Sequence, residues 1–211
     1  NLALEEYLLN TVKPGQCILY LWQNQRTVVI GRNQHAENEC RIQTLEADGG
    51  HLVRRLSGGG AVYHDLGNLN FTFLVRTEDY DKDKQTDVIL RAVQALGIQV
   101  EKTGRNDLTI DGQKFSGHAY FKKGKQCYHH GTIMMDVKGD DLSKYLNVSA
   151  DKLKSKGVES VRSRVTNLRE HVDGPLGEAD TRELILAMQD AMVRAASREY
   201  GGEAEAVELP Q

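Results

Sequence analysis

The run RRLSGGGAVYHD, residues 54–65, concentrates the residue types best suited to chemistry. Gly58, Gly59 and Gly60 cost backbone entropy and pack no side chain. A loop of this kind between two strands marks a place where something must approach the backbone closely. Successive free N–H groups can also form a nest for an anion. Arg54 and Arg55 precede the glycines. On a strand they point to opposite faces, so at most one serves a given pocket. Arginine suits phosphate or carboxylate because its planar fork donates two parallel hydrogen bonds. Two readings stand on these residues alone: an anion site, or a flexible surface loop beside two solvated arginines. A P-loop is excluded because no G-x-x-x-x-G-K-[ST] occurs, and the third glycine of a dinucleotide fingerprint is missing after Gly60.

A second constellation is Gly104-Arg105-Asn106-Asp107, followed by Lys114 and Ser116-Gly117. Asp107 opens a strand and Lys114 follows the Asp111-Gly112 turn, so a hairpin sets their strands side by side. A carboxylate beside a phosphate site can help hold Mg²⁺, and a lysine on a rigid strand can neutralise charge on a transferring group. The alternative is a cross-strand surface ion pair of little energetic value. The third constellation is Cys127-Tyr128-His129-His130-Gly131-Thr132. Adjacent histidines on a strand face opposite ways, and no H-E-x-x-H or C-x-x-C accompanies them, which disfavours zinc. Cys127 and His129 share a strand face and could form a nucleophilic pair, against the default of a buried structural cysteine.

These residues need a scaffold. Residues 1–12 have helical spacing, with Leu2, Leu4, Leu8 and Leu9 inward, Glu5 and Glu6 outward, and Asn1 as a candidate cap. Residues 17–22 and 27–30, joined by polar residues 23–26, read as a β-hairpin, and residues 38–47 as one helix. Short strands are expected at 51–56 and 61–64 around the glycine loop. Residues 68–76 alternate and predict a strand with one buried face. A helix is predicted at 86–96, strands at 98–102, 107–110, 114–121 and 126–136, short helices at 141–146, 150–155 and 166–171, and a long helix at 181–200. Residues 162–164 and 173–175 read as mobile segments. The expected architecture is one α+β domain over residues 1–211, a mostly antiparallel β-sheet flanked by helices.

Composition narrows the partners. With a net charge of -3, no long-range field favours nucleic acid or an anionic membrane, so anion binding must come from a local basic cluster. Cys17, Cys40 and Cys127 are odd in number and widely spaced, which points to a reducing cytoplasm rather than a disulfide framework. No apolar run approaches the roughly 18 residues of a membrane span. The sequence opens on Asn1 without an initiator Met, so what precedes it stays open.

Taken together, the motifs resemble the lipoate–protein ligases of the biotin/lipoate ligase and octanoyltransferase superfamily. The resemblance runs from Asn1-Leu2-Ala3-Leu4-Glu5-Glu6 through Thr27-Val28-Val29-Ile30-Gly31-Arg32, Asn38-Glu39-Cys40 and the 54–65 run with Leu66-Gly67-Asn68. It continues through Gly104-Arg105-Asn106-Asp107-Leu108, Lys114-Phe115-Ser116-Gly117 and His129-His130-Gly131-Thr132 to the stretch 160–168. The resemblance implies a biotin/lipoate ligase-like catalytic domain. It also implies a two-step reaction in which lipoate and MgATP give lipoyl-AMP, and the lipoyl group then passes to a lysine. The acceptors implied are lipoyl domains of 2-oxoacid dehydrogenase E2 subunits and the glycine cleavage H protein. Position by position, Arg55, Gly60, Ala61, Val62 and Tyr63 would hold the adenylate, with Asp107 beside the Mg²⁺ or phosphate. Lys114 would be the catalytic cation, touching both the nucleotide phosphate and the lipoyl carboxylate. Arg54, Ser57, Gly58, Gly59, His64, Gly117 and His130 would line the lipoyl site. The stretch 160–167 would close over the adenylate. Family ligases often carry a smaller domain after the large one; it would begin where this sequence stops at Gln211, so it is expected to be absent from this chain or supplied by a separate accessory partner. The rival is a cysteine acyltransferase of the same superfamily, working through a thioester on Cys127. A non-catalytic lipoate-binding module is a third reading, which Arg55 and Lys114 together speak against.

Overall fold

The alternation in β5 (Asn68–Arg76) organises the molecule. The computed structural model describes residues 1–103, 107–147 and 165–207. In it β5 lies inside a six-stranded antiparallel sheet ordered β1-β5-β9-β8-β7-β6. The other strands are β1 (Cys17–Trp22), β6 (Glu101–Thr103), β7 (Asp107–Ile110), β8 (Gln113–Lys123) and β9 (Gln126–Met134). A smaller sheet, ordered β3-β2-β4, comprises β2 (Thr27–Ile30), β3 (His51–Arg54) and β4 (Val62–His64), with β2 parallel to β3 and antiparallel to β4. The α+β architecture expected from the sequence is therefore present.

The odd positions of β5, Leu69, Phe71 and Phe73, pack with Phe115 and Ile133 into the main core under α4 (Lys82–Ala95) and α7 (Thr181–Tyr200). Each fully buried side chain of this kind contributes about 1.5–3 kcal/mol. The even positions, Asn68, Asn70 and Thr72, face the other way and are buried too. The expectation of one buried face was thus too simple: α1 (Leu2–Thr11) and the small sheet cover the second side. Helix starts follow their caps. Asp81 accepts from the Lys84 N–H at 3.0 Å, so α4 begins before residue 86. Asp180 and Glu183 form a capping box at the start of α7.

Several expectations are corrected. Residues 17–22 and 27–30 do not form a hairpin: β1 pairs with β5 in the large sheet and β2 with β3 and β4 in the small one. A polar connection of four residues does not select a strand's partner, and here it carries the chain between sheets. The helix expected at 38–47 is two, α2 (Ala36–Glu39) and α3 (Ile42–Ala47), because Cys40 leaves helical geometry to bridge Leu146 next to α5 (Gly139–Tyr145). Residues 166–171 give only a 3₁₀ turn, Leu168–His171, and Pro175 opens a short helix α6 (Pro175–Glu178) where mobility was expected. Asn1 does not cap α1 through its side chain, which donates instead to the Gln23 carbonyl at 2.6 Å. Glu5 faces inward at 2 % exposure rather than outward. The helix expected at 150–155, the segment 162–164 and Gly104-Arg105-Asn106 lie outside the described residues. Among the described residues no helix is long and apolar enough to cross a membrane.

Candidate active site

A cavity of about 450 Å³ lies between the even-side face of β5, β9 and β8 and the β4 side of the small sheet. Strand register builds its floor. Gly117 of β8 pairs with Thr132 of β9, Thr132 with Asn70 of β5, and Asn70 with Trp22 of β1, so these four residues form one row across the sheet. Gly117 matters as an absence of bulk: a Cβ there would sit 3.1 Å from Cε and Nζ of Lys114. The lysine therefore lays its ammonium across the Gly117 end of the row. Lys114 also joins the segment that resumes at Val165, through a parallel bridge and the Thr166 N–H donated to its carbonyl at 3.0 Å.

The glycine loop forms the opposite wall, and Arg55 shapes it. The arginine is buried, and its donors turn inward: Nη2 to the carbonyls of Gly58 (2.8 Å) and Gly60 (2.7 Å), Nη1 to Val29 (3.1 Å), Nε to Ser57 Oγ (3.1 Å). Burial lowers the guanidinium pKa, and Glu5 and Tyr128 nearby oppose that. Turning the Gly58 and Gly60 carbonyls toward Arg55 points the N–H groups of the same peptides, those of Gly59 and Ala61, the other way, and neither has an acceptor among the described residues, as an anion nest requires. Gly59 has φ +93°, a conformation costly for other residues, and its carbonyl sits where a Cβ on Gly31 would be, at 2.2 Å. Gly31 thus closes the loop onto the end of β2.

A buried polar chain holds the loop from beneath. The Ser57 hydroxyl pairs with His130 Nε2 at 2.7 Å and His130 Nδ1 with Glu5 Oε1 at 2.8 Å. Thr72 donates to the same oxygen at 2.7 Å, and the Trp22 indole N–H donates to Thr72 Oγ1 at 3.1 Å. Glu5 Oε1 thus gathers Thr72 and His130 Nδ1, and His130 ties it to Ser57.

The structure brings together Arg55, Gly59, Gly60, Ala61, Val62, Tyr63, His64, Lys114, Gly117 and His130 around the cavity. Three expected residues do not line it. Ser57 stands behind His130, Gly58 behind the loop, and Arg54 donates to the carbonyls of Gly31, Arg32 and Gln34 on the other side of β3. The split between Arg54 and Arg55 follows from strand geometry, as expected. Asp107 pairs with Gly117 through its backbone at the start of β7, but its side chain lies outside the described residues. Residues given no site role from the sequence include Trp22 and Asn70 in the floor and Glu5 beneath it. Among the described residues no group of three or more His, Cys, Asp or Glu side chains could hold a metal ion.

The histidine pair divides as alternation demands. His130 faces the cavity side, while His129 lies on the helix side, bonded to Gln85 (3.1 Å) and His118 (2.8 Å). Cys127 shares that far side: its thiol donates to the Val75 carbonyl at 3.7 Å, and burial raises its pKa. It does not line the cavity, so it lacks the access and the thiolate character a nucleophile needs.

Comparison with known proteins gives a consistent result. Residues 1–193 match the family described as the lipoyl protein ligase A/B catalytic domain. A lipoate-protein ligase A from Psychrobacter cryohalolentis is 47 % identical over 170 residues, covering 81 % of this chain and 50 % of the relative. The chain spans about half the length of the curated relatives it matches. The fold is similar to that of a bi-partite lipoate protein ligase from Thermoplasma acidophilum, solved in a study of that ligase and its E2 lipoyl domain. The TM-score is 0.85 at 28 % identity, covering 100 % of this chain and 82 % of the other. A lipoate-protein ligase A bound with ATP aligns with TM-score 0.83 at 25 % identity, covering 100 % of this chain and 83 % of that one.

Proposed function

The chain belongs to the lipoyl protein ligase A/B catalytic-domain family, and from that premise we propose that it activates lipoate with ATP and transfers the lipoyl group to a lysine of a lipoyl domain. The observation that carries this reading is the Lys114 ammonium laid over Gly117 in a cavity that is also lined by a glycine loop with unused N–H groups. Similar proteins support it: one relative is named a lipoate-protein ligase and another was solved with ATP bound.

In the first step a lipoate carboxylate oxygen attacks the α-phosphorus of ATP. A phosphorus–oxygen bond forms, the bond to the bridging oxygen breaks, and pyrophosphate leaves. Two anions must meet, so fixed positive charge and orientation are most of what the protein can contribute. Lys114 meets both the carboxylate and the phosphate, and the loop N–H groups of Gly59 and Ala61 cradle the adenylate. Arg55 holds those N–H groups outward; direct contact with phosphate requires it to exchange a loop carbonyl for the ligand. Asp107 would supply a carboxylate to Mg²⁺ brought in on the nucleotide phosphates, where the ion would offset phosphate charge. In the second step the acceptor lysine amine attacks the acyl carbon and AMP departs. Lipoyl domains of 2-oxoacid dehydrogenase E2 subunits and the glycine cleavage H protein are the proposed acceptors. Val165 and Thr166 run beside Lys114, and keeping water out at that point protects the hydrolysable adenylate.

The test is lipoate-dependent pyrophosphate release from ATP. Lys114→Ala is expected to lower it by roughly 10- to 100-fold for each charge-assisted bond lost. An unchanged rate in that variant refutes the role given to Lys114.

A further inference from the structure

Leu66 is an exposed leucine on a turn that is held rigidly in place. Its side chain is 52 % exposed. Single exposed apolar residues are ordinary on a protein surface, and exposure alone gives Leu66 no role. The backbone that carries it sets it apart. The Leu66 carbonyl accepts from Gln23 Nε2 at 2.6 Å. Asp65 Oδ1 accepts from the Gly67 N–H at 2.8 Å, and Asp65 Oδ2 from the Lys138 N–H at 3.0 Å. The Gly67 carbonyl accepts from the N–H groups of Met135 (3.0 Å) and Asp136 (2.9 Å), and the Asn68 N–H donates to the Asp65 carbonyl at 3.1 Å. Gly67 packs so closely that a Cβ on it would sit 2.0 Å from the Asp136 carbonyl oxygen. These contacts tie the turn to the β1–β2 connection and to the chain leaving β9. The side chain can rotate about its own bonds, but the backbone is not free to carry it inward.

The turn also stands in a place that matters for transfer. His64 and Asn68, on either side of it, line the cavity. Strands β8 and β9 pair Ser116 with Ile133. Two residues further along that antiparallel register, Lys114 comes level with Met135, whose N–H is bonded to Gly67. The turn and the Lys114 backbone therefore lie at one end of the sheet, two strand spacings or about 10 Å apart. Acyl transfer needs a lysine carried by another protein to reach Lys114. A lysine side chain is only a few ångströms long, so the surface that bears it must come down over this end of the sheet. Leu66 is exposed there, with Gln23, Asp65 and Lys138 as polar neighbours.

We infer that Leu66 is an apolar anchor for the acceptor protein, which meets it with an apolar patch beside the lysine to be modified. This rests on the proposed function, from which it takes a protein-borne lysine as the acceptor. Interfaces draw most of their energy from a few apolar anchors set within a polar rim. A segment fixed before binding loses little further entropy on contact, and the 65–68 turn meets that condition. Leucine is a smaller anchor than tryptophan or tyrosine, so its share is moderate. Leu66 does not line the cavity, so activation of lipoate does not depend on it.

Transfer from preformed lipoyl-AMP to a lipoyl domain of an E2 subunit, measured with the whole chain over a range of domain concentrations, tests this. Leu66→Ser is expected to raise the KM for the domain roughly five- to tenfold and to leave kcat near the wild-type value. Leu66→Met, which keeps an apolar surface, is expected to keep the wild-type KM. Lipoate-dependent pyrophosphate release without the domain should be the same in all three proteins. An unchanged KM in Leu66→Ser overturns the inference and leaves the proposed function standing. An equal rise in Leu66→Met also overturns it, as does a fall in domain-free pyrophosphate release that matches the rise in KM. Absence of any transfer by the wild-type chain overturns the proposed function and the inference together.

Discussion

Gly31→Ala is the sharpest structural probe of the glycine loop, because Gly31 touches no ligand atom in the account yet fixes where the loop sits. A Cβ at residue 31 would lie 2.2 Å from the Gly59 carbonyl oxygen, 3.2 Å from its carbon and 3.3 Å from the Gly58 carbonyl carbon. Ordinary contact begins near 3.4 Å, so the loop must retreat by about 1 Å. The partners are backbone and have no flexible end to swing away. Retreat breaks the 2.8 Å and 2.7 Å bonds that Arg55 Nη2 makes to Gly58 and Gly60. Overpacking of this kind costs typically about 1–3 kcal/mol, and each kcal/mol lowers Tm by about 2–4 °C for a chain of this size. Activity should suffer more than stability, since a misplacement of about 1 Å around a reacting centre can cost around a hundredfold. The assay pairs thermal melting with lipoate-dependent pyrophosphate release. A folded Gly31→Ala protein with the wild-type rate refutes the claim that loop position governs activation.

Three further outcomes are expected. Glu5→Ala strands the His130 Nδ1–H and the Thr72 hydroxyl in a buried site, at about 1–3 kcal/mol for each unsatisfied group. Urea unfolding should show that loss and its partial recovery in Glu5→Gln, and wild-type stability of the alanine variant would contradict the relay. Cys127→Ser should retain pyrophosphate release, because the thiol lies on the helix side bonded to Val75; an acyl-thioester trapped on Cys127 would reinstate the transferase chemistry. Burial pushes the His64 pKa down to about 3 and that of His129 well below its ordinary value. The unfolded chain then binds protons that the folded one refuses, so stability falls as pH drops below about 6.5. Urea midpoints should reveal a loss of about 2–3 kcal/mol between about pH 7 and about pH 5.5 from these two residues, and a flat profile would show that they are not buried neutral.

Much of this was legible in the sequence where local rules are strong. The β5 alternation, the Asp111-Gly112 turn, the 181–200 helix and the opposed directions of Arg54 and Arg55 all follow from strand and helix periodicity. Periodicity could not supply partners. Residues 23–26 look alike whether they turn a hairpin or carry the chain between sheets. Glu5 reads as a solvent-facing charge because its burial depends on His130, 125 residues away, which only the register of β9 under α1 brings to it. Asn70 and Trp22 look like ordinary strand residues, and their meaning lies in the row that joins them to Thr132 and Gly117. Arg55 carries a second task that its residue type does not announce: in the folded chain its donors hold the carbonyls of the loop beside the cavity it lines.

The central claim is lipoyl transfer, and intact-mass spectrometry of a lipoyl domain tests it most directly. The domain is incubated with this chain, ATP, Mg²⁺ and lipoate, and in parallel with this chain and preformed lipoyl-AMP. The expected result is the mass gain of one lipoyl group on a single lysine, with a slower gain in Lys114→Ala in the reaction that starts from ATP and lipoate. No gain in either reaction, with the wild-type chain folded, would contradict it.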